Sequence, residues 1–165
     1  MTVQCEESLK YRGRVWSLTS RPLDACTAPD VRERMRLCQM ASTALRRGYG
    51  GEWEIRRGRL WLSGLVATIR EPLEHDSHDW QCAERGLDWL FPGVAGLVPA
   101  DWFTGELVSP RGRSNLLHGI VRWPAVRMFH VERGAIVGTK LRGTRADLLP
   151  RSAPSEKLRR YSEAL

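Results

Sequence analysis

Two stretches of the chain each read as strand, Arg-Gly, strand. They are Trp53-Glu54-Ile55-Arg56-Arg57-Gly58-Arg59-Leu60-Trp61-Leu62 and Phe129-His130-Val131-Glu132-Arg133-Gly134-Ala135-Ile136-Val137. With a two-residue loop at Arg57-Gly58, Ile55 faces Leu60 and Trp53 faces Leu62 on one side of the hairpin. Glu54 then faces Trp61, and Arg56 faces Arg59, on the other side. The same loop length at Arg133-Gly134 sets Val131 against Ile136. A one-residue slip would scatter these aliphatic pairs, so the pattern specifies the register. Glycine tolerates the positive φ that such turns require. Arg is a less usual first loop residue than Asn or Asp, so a three-residue loop with a bulge is the alternative. The likeness between the hairpins is too short to indicate a duplicated unit.

The rest of the chain extends this β-rich reading. Tyr11 to Leu18 alternates and predicts a first strand, broken by Arg21-Pro22-Leu23-Asp24. Thr27-Ala28-Pro29-Asp30 has the form of a helix start with Thr27 as the cap. Val31, Met35, Cys38, Ser42 and Leu45 follow at helical spacing, with Gly48 as the stop. Gly51 to Ile69 holds the first hairpin. A polar loop over Glu71–Asp79 leads into a short helix from Asp79 to Leu90. Val98 to Val108 is a strand pair or a bent strand, and Ser109 to Arg113 is a turn. His118 to Arg122 is a short strand, and Met128 to Leu141 holds the second hairpin. Seven or eight strands with one or two helices predict a single α+β, mainly β domain over 1–143. Its form is a curled antiparallel sheet or small barrel. Residues 144–165 read as a polar basic tail with a short helical stretch from Ser155 to Ala164.

Composition narrows the class. A chain of 165 residues with seven tryptophans and 42% hydrophobic residues can bury a core and is not disordered. No apolar run approaches the roughly 18 residues that span a bilayer. The polar start, Met1 to Glu7, has no secretory signal. Cys5, Cys26, Cys38 and Cys82 lack CxxC spacing, which favours free thiols and the cytoplasm over disulfides or a zinc finger. No cofactor is implied. The net charge of +7 is segregated along the chain: residues 31–70 carry +6, residues 71–110 carry −7 and residues 111–165 carry +8. Nearly all the cations are Arg, which forks onto phosphates and carboxylates and stacks on aromatic rings.

Several motifs resemble those of a group of small uncharacterised bacterial proteins. They are Arg47-Gly48-Tyr49, Trp53-Glu54-Ile55 and Leu60-Trp61-Leu62, then Leu90-Phe91-Pro92-Gly93. Ala100 to Leu107, Pro110-Arg111-Gly112 and the Glu132-Arg133-Gly134 hairpin complete the set. The resemblance spans about residues 11 to 141 and implies a small bacterial cytoplasmic protein, with no activity or site residue attached.

Three chemistries can be weighed from residue types. His75 and His78, with Cys82, offer three ligands to a metal but no fourth at a fixed spacing. The elements Arg12, Ser42-Thr43 and Glu52-Trp53-Glu54 resemble the arginine, serine-threonine and glutamate signature of ADP-ribosyltransferases. That resemblance implies Arg12 on the NAD phosphates, Ser42 supporting the pocket and Glu54 steering the nucleophile. Only about ten residues separate its second and third elements, too few for the strands of that fold. Finally, Arg46, Arg47, Arg56, Arg57 and Arg59 interleave with Tyr49, Trp53 and Trp61, a composition suited to nucleic acid.

No nucleophile elbow, P-loop or dinucleotide fingerprint occurs. By elimination the expected function is a non-enzymatic protein-binding domain, of immunity or inhibitor type. Its surface would comprise Arg46, Arg47, Tyr49, Glu54, Arg56, Arg57, Arg59 and Trp61. A nucleic-acid-binding protein and an ADP-ribosyltransferase-like enzyme are the alternatives. The basic surplus disfavours a nuclease inhibitor, which would be acidic.

Overall fold

The computed structural model describes residues 5–72, 80–111, 115–117, 120–122 and 125–143. Both Arg-Gly pairs form two-residue loops. Ile55 pairs with Leu60, Trp53 with Leu62, Glu54 with Trp61 and Arg56 with Arg59. Val131 pairs with Ile136. Arg57 and Gly58 have φ of 52° and 72°, and Arg133 and Gly134 have 46° and 77°. Positive φ at both loop residues defines the turn whose twist matches that of the flanking strands.

A third hairpin of the same kind lies at Arg12-Gly13, with φ of 51° and 73°. The stretch expected to form one strand from Tyr11 is therefore two: β1 (Glu7–Tyr11) and β2 (Arg14–Leu18). A 3-10 turn (Pro22–Ala25) and α1 (Pro29–Arg36) follow. Next come β3 (Tyr49–Arg56), β4 (Arg59–Pro72), β5 (Trp80–Arg85) and α2 (Leu87–Leu90). The remainder is β6 (Val98–Pro99), β7 (Gly105–Arg111), β8 (Asn115–Leu117), β9 (Ile120–Arg122), β10 (Ala125–Glu132) and β11 (Ala135–Arg142).

The domain is α+β and mainly β. Nine strands form one sheet in the order β2-β1-β3-β4-β11-β10-β7, with β5 and β6 also on β4, while β8 and β9 form a separate ribbon. The sheet is mixed, because β1 and β3 run parallel. It curls without closing into a barrel. The two ends of the path, β2 and β7, share no ladder, yet they are laced together. The Thr19 amide donates to Val108 O at 2.9 Å. Ser109 Oγ donates to Ser17 O at 2.8 Å, Ser20 Oγ donates to Glu106 O at 3.0 Å, and the Val108 amide donates to Ser20 Oγ at 2.7 Å. Inside the curl lies the core, where Leu9, Leu18, Trp53, Leu60, Leu62, Leu107 and Phe129 are almost wholly buried.

Tertiary pairing corrects several local expectations. The helix begins with Ala28 at the cap position, not Thr27, and carries Pro29 in its first turn. It ends at Arg36 because Cys38 bridges to Ile69 and the Gln39 amide donates to Thr68 O. Most of the helix expected over 79–90 is strand β5, which pairs with the second half of the long β4, and only Leu87–Leu90 is helical. Ser109 to Arg111 continue β7 instead of turning, because Ala125 and Val126 pair with Arg111 and Pro110. Pro110 is tolerated because β7 ends the sheet path, where a missing N–H donor breaks no second ladder. His118 and the expected C-terminal helix lie outside the described residues, as do His75 and His78.

The Ala100–Gly105 segment acts as a cradle for the Arg133-Gly134 turn. The Gly134 amide donates to Phe103 O at 2.9 Å, and the Arg133 amide donates to Thr104 Oγ1 at 3.0 Å. Asp101 pairs with Arg59, and Trp102 Nε1 donates to Pro22 O at 3.1 Å.

Candidate anion-binding site

Strand parity decides what faces the inside of the curl. On β1 and β2, buried Leu9 and Leu18 share a face with Tyr11, Arg14 and Trp16. On β7, Leu107 shares its face with Ser109 and Arg111, and on β10 Phe129 shares its face with Ala125 and Arg127. Alternation therefore carries an apolar interior to one end of the sheet and there changes its residues to Arg and aromatic rings.

The contacts confirm that these strand ends meet. Tyr11 packs edge-on against Phe129 with ring centroids 5.0 Å apart. The Arg111 guanidinium lies 3.2 Å from the centre of the Trp16 ring. Arg12 and Arg127 lie 5.2 and 5.8 Å from the centre of the Tyr11 ring. Tyr11, Arg12, Arg14, Trp16 and Arg127 line a cleft of about 250 Å³.

Arg111 is the unusual member. It is only 3% exposed. Among the described residues, nothing accepts a hydrogen bond from its Nε, Nη1 or Nη2, and Arg127 Nε and Trp16 Nε1 are also unpartnered. Burial, and then the neighbouring charge of Arg127, hold the Arg111 pKa down to about 10. A buried guanidinium without a counter-ion costs several kcal/mol. Stacking on an indole returns about 2 kcal/mol of this. No described carboxylate pairs with Arg12, Arg14, Arg111 or Arg127. The sequence linking β7 to β10, residues 112–124, contains no Asp or Glu.

The opposite end of β1 carries a different cluster. Glu7 is 3% exposed and accepts from Trp53 Nε1 at 2.6 Å, with Arg47 Nη2 at 3.4 Å from its other oxygen. Burial pushes the Glu7 carboxyl above its ordinary value, although the bond from Trp53 and the Arg47 charge oppose the rise. Tyr49 donates to Asp24, and burial followed by that bond raises its hydroxyl well above the usual range. Arg47 also donates to Cys5 O at 3.1 Å.

This arrangement divides the surface expected from the sequence. Arg47 and Tyr49 belong to the buried network. Arg59 is tied to Asp101 and to Arg133 O, and half-buried Trp61 donates to Arg56 O at 3.2 Å. Arg46 lies on the loop before β3. Arg56 and Arg57 are exposed at the hairpin tip, with Glu54 on the outer face opposite Trp61. The elements of the transferase resemblance also separate. Arg12 lines the cationic cleft, Ser42 Oγ accepts from the Leu45 amide, and Glu54 lies on the outer face of β3. Among the described residues no His, Cys, Asp and Glu group could hold a metal, and Cys82 is an exposed free thiol.

Sequence reasoning did not single out Tyr11, Arg14, Trp16, Arg111 and Arg127 as a site. The available signal was an Arg on the apolar parity of a strand: Arg127 two residues before Phe129, and Arg111 four after Leu107. Comparisons with protein families, with curated proteins and with solved structures find no match to this chain.

Proposed function

We propose that the protein is a binding domain for nucleic acid, acting in the bacterial cytoplasm, and that it engages the phosphate backbone through the cationic end of its curled sheet. The observation that carries this reading is the set of arginines there without a described carboxylate partner. Exposed Lys10, Lys140 and Arg142 sit on the same strand ends and extend the positive surface outward. Guanidinium groups that no described carboxylate neutralises can displace counterions from phosphates. The aromatic and Arg anchors expected for a protein partner are less available, since Tyr49 is buried, Arg47 is tied to Glu7 and Cys5 O, Arg59 is already paired with Asp101 at the surface, and Trp61 is half-buried. Among the described residues no helix is long and apolar enough to cross a membrane.

Fluorescence anisotropy with single- and double-stranded oligonucleotides over a salt series tests this. Affinity should fall steeply with salt. Arg12→Gln and Arg14→Gln should each lower the slope of log K against log salt by about 1. Absence of binding at low salt would refute the reading, and tighter binding of an acidic polypeptide would favour a protein partner instead.

A further inference from the structure

We infer that the cleft at the cationic end receives a terminal phosphate, the phosphomonoester at the end of a nucleic-acid strand. This rests on the nucleic-acid reading and narrows it to a chain end.

The first argument is topological. The cleft opens at one end of the curl, and the interior beyond it is filled by Leu9, Leu18, Leu107 and Phe129. An internal phosphodiester must keep chain on both sides of the cleft, whereas a terminal phosphate brings chain to one side only and turns its remaining oxygens toward the arginines. The second argument is charge. A phosphomonoester carries about −1.5 to −2 near neutral pH and presents three strong acceptor oxygens, more than a diester offers. Arg12, Arg14 and Arg127 stand in the wall, and Arg111 adds a buried charge directly behind Trp16. The third argument is what the site cannot read. Trp16 is covered by Arg111 at 3.2 Å, and Tyr11 is flanked by Arg12 and Arg127. Arg111 takes one face of Trp16 and two guanidinium groups stand beside Tyr11, which limits base stacking and puts the weight of recognition on the phosphate.

The test uses the full chain and one short single strand in three forms: 5′-phosphorylated, 3′-phosphorylated and with hydroxyls at both ends. One phosphorylated form should bind about tenfold more tightly than the hydroxyl form, the gain from charge-assisted hydrogen bonds to one added group. Inorganic phosphate should compete for that difference. Arg127→Gln and Arg14→Gln should each erase it, and Arg36→Gln on α1 should leave it intact. Arg14 is exposed at a strand end, so its variant keeps the test open should Arg127→Gln fail to fold. Equal affinity for all three strands overturns the inference and leaves the nucleic-acid reading standing. Discrimination that survives both Arg variants also overturns it, as does a phosphoserine peptide that binds as tightly as the phosphorylated strand. Failure of every strand to bind removes the underlying reading itself.

Discussion

The Leu60 amide donates to the Gly134 carbonyl at 2.8 Å, and the Ile136 amide donates to the Gly58 carbonyl at 2.8 Å. The two Arg-Gly turns that look alike in the sequence are thus bonded to each other, around the single Ala135–Arg59 pairing of β11 with β4. Their likeness reflects a shared turn geometry that allows the two hairpin ends to dock. Ala100 donates in turn to Leu60 O at 3.1 Å, so the cradle segment completes the junction.

This docking separates two otherwise equivalent glycines. A Cβ at Gly134 would lie 2.9 Å from Ala100 O, whereas at Gly58 it would meet nothing within 4 Å. Gly58→Ala should cost about 1–2 kcal/mol, the price of a left-handed backbone alone. Gly134→Ala should cost more, because the cradle must also shift. Urea denaturation of the two variants checks the order.

Arg57 holds φ at 52° on an exposed tip. Asn tolerates this conformation better than Arg. Arg57→Asn should therefore raise stability by part of the roughly 1–2 kcal/mol that a left-handed backbone costs most residues, measured by thermal or urea unfolding.

Glu7 should give the protein a defined pH dependence. Its folded pKa is raised above the ordinary 4.5, so the folded state retains a proton that the unfolded state releases. Its contribution is fully present below pH 4.5 and is lost as pH rises through the folded value. Relative to Glu7→Gln, the native protein should lose stability over that window, as urea midpoints at successive pH values would show. Glu7→Ala should cost about 3 kcal/mol, since it leaves Trp53 Nε1 and Arg47 without their buried acceptor.

Arg111→Met should stabilise the unliganded protein by about 1–3 kcal/mol, because an aliphatic chain of similar length removes an uncompensated buried charge. A melting temperature below that of the native protein would contradict the charge accounting.

Ser109→Ala should cost about 1 kcal/mol, the net value of one hydrogen bond, through loss of the donor to Ser17 O. Amide exchange at Thr19, on the same seam, should accelerate with it.

The hairpin registers were legible because aliphatic pairs survive only one loop length. The Arg12-Gly13 hairpin was not, because its nearest pairs are Tyr11 with Arg14 and Lys10 with Val15, which carry no aliphatic match. Trp80 to Arg85 contains residues at home in helices, and it became a strand because the far half of β4 needs a partner. The exposed hairpin tip was visible as an Arg cluster. The cleft was not, since Arg14, Arg111 and Arg127 come from three strands distant in sequence and meet only when the sheet curls.

The hydroxyl lacing between β2 and β7 sets how the molecule yields. A cylinder closed by continuous ladders resists widening along its whole circumference. Here one line is held mainly by Ser and Thr side chains, whose rotation lengthens a contact without unpairing a strand. Since Arg111 lies on β7 and Trp16 on β2, the stack of guanidinium on indole spans that same line and adds a contact across it beside the arginine-lined cleft.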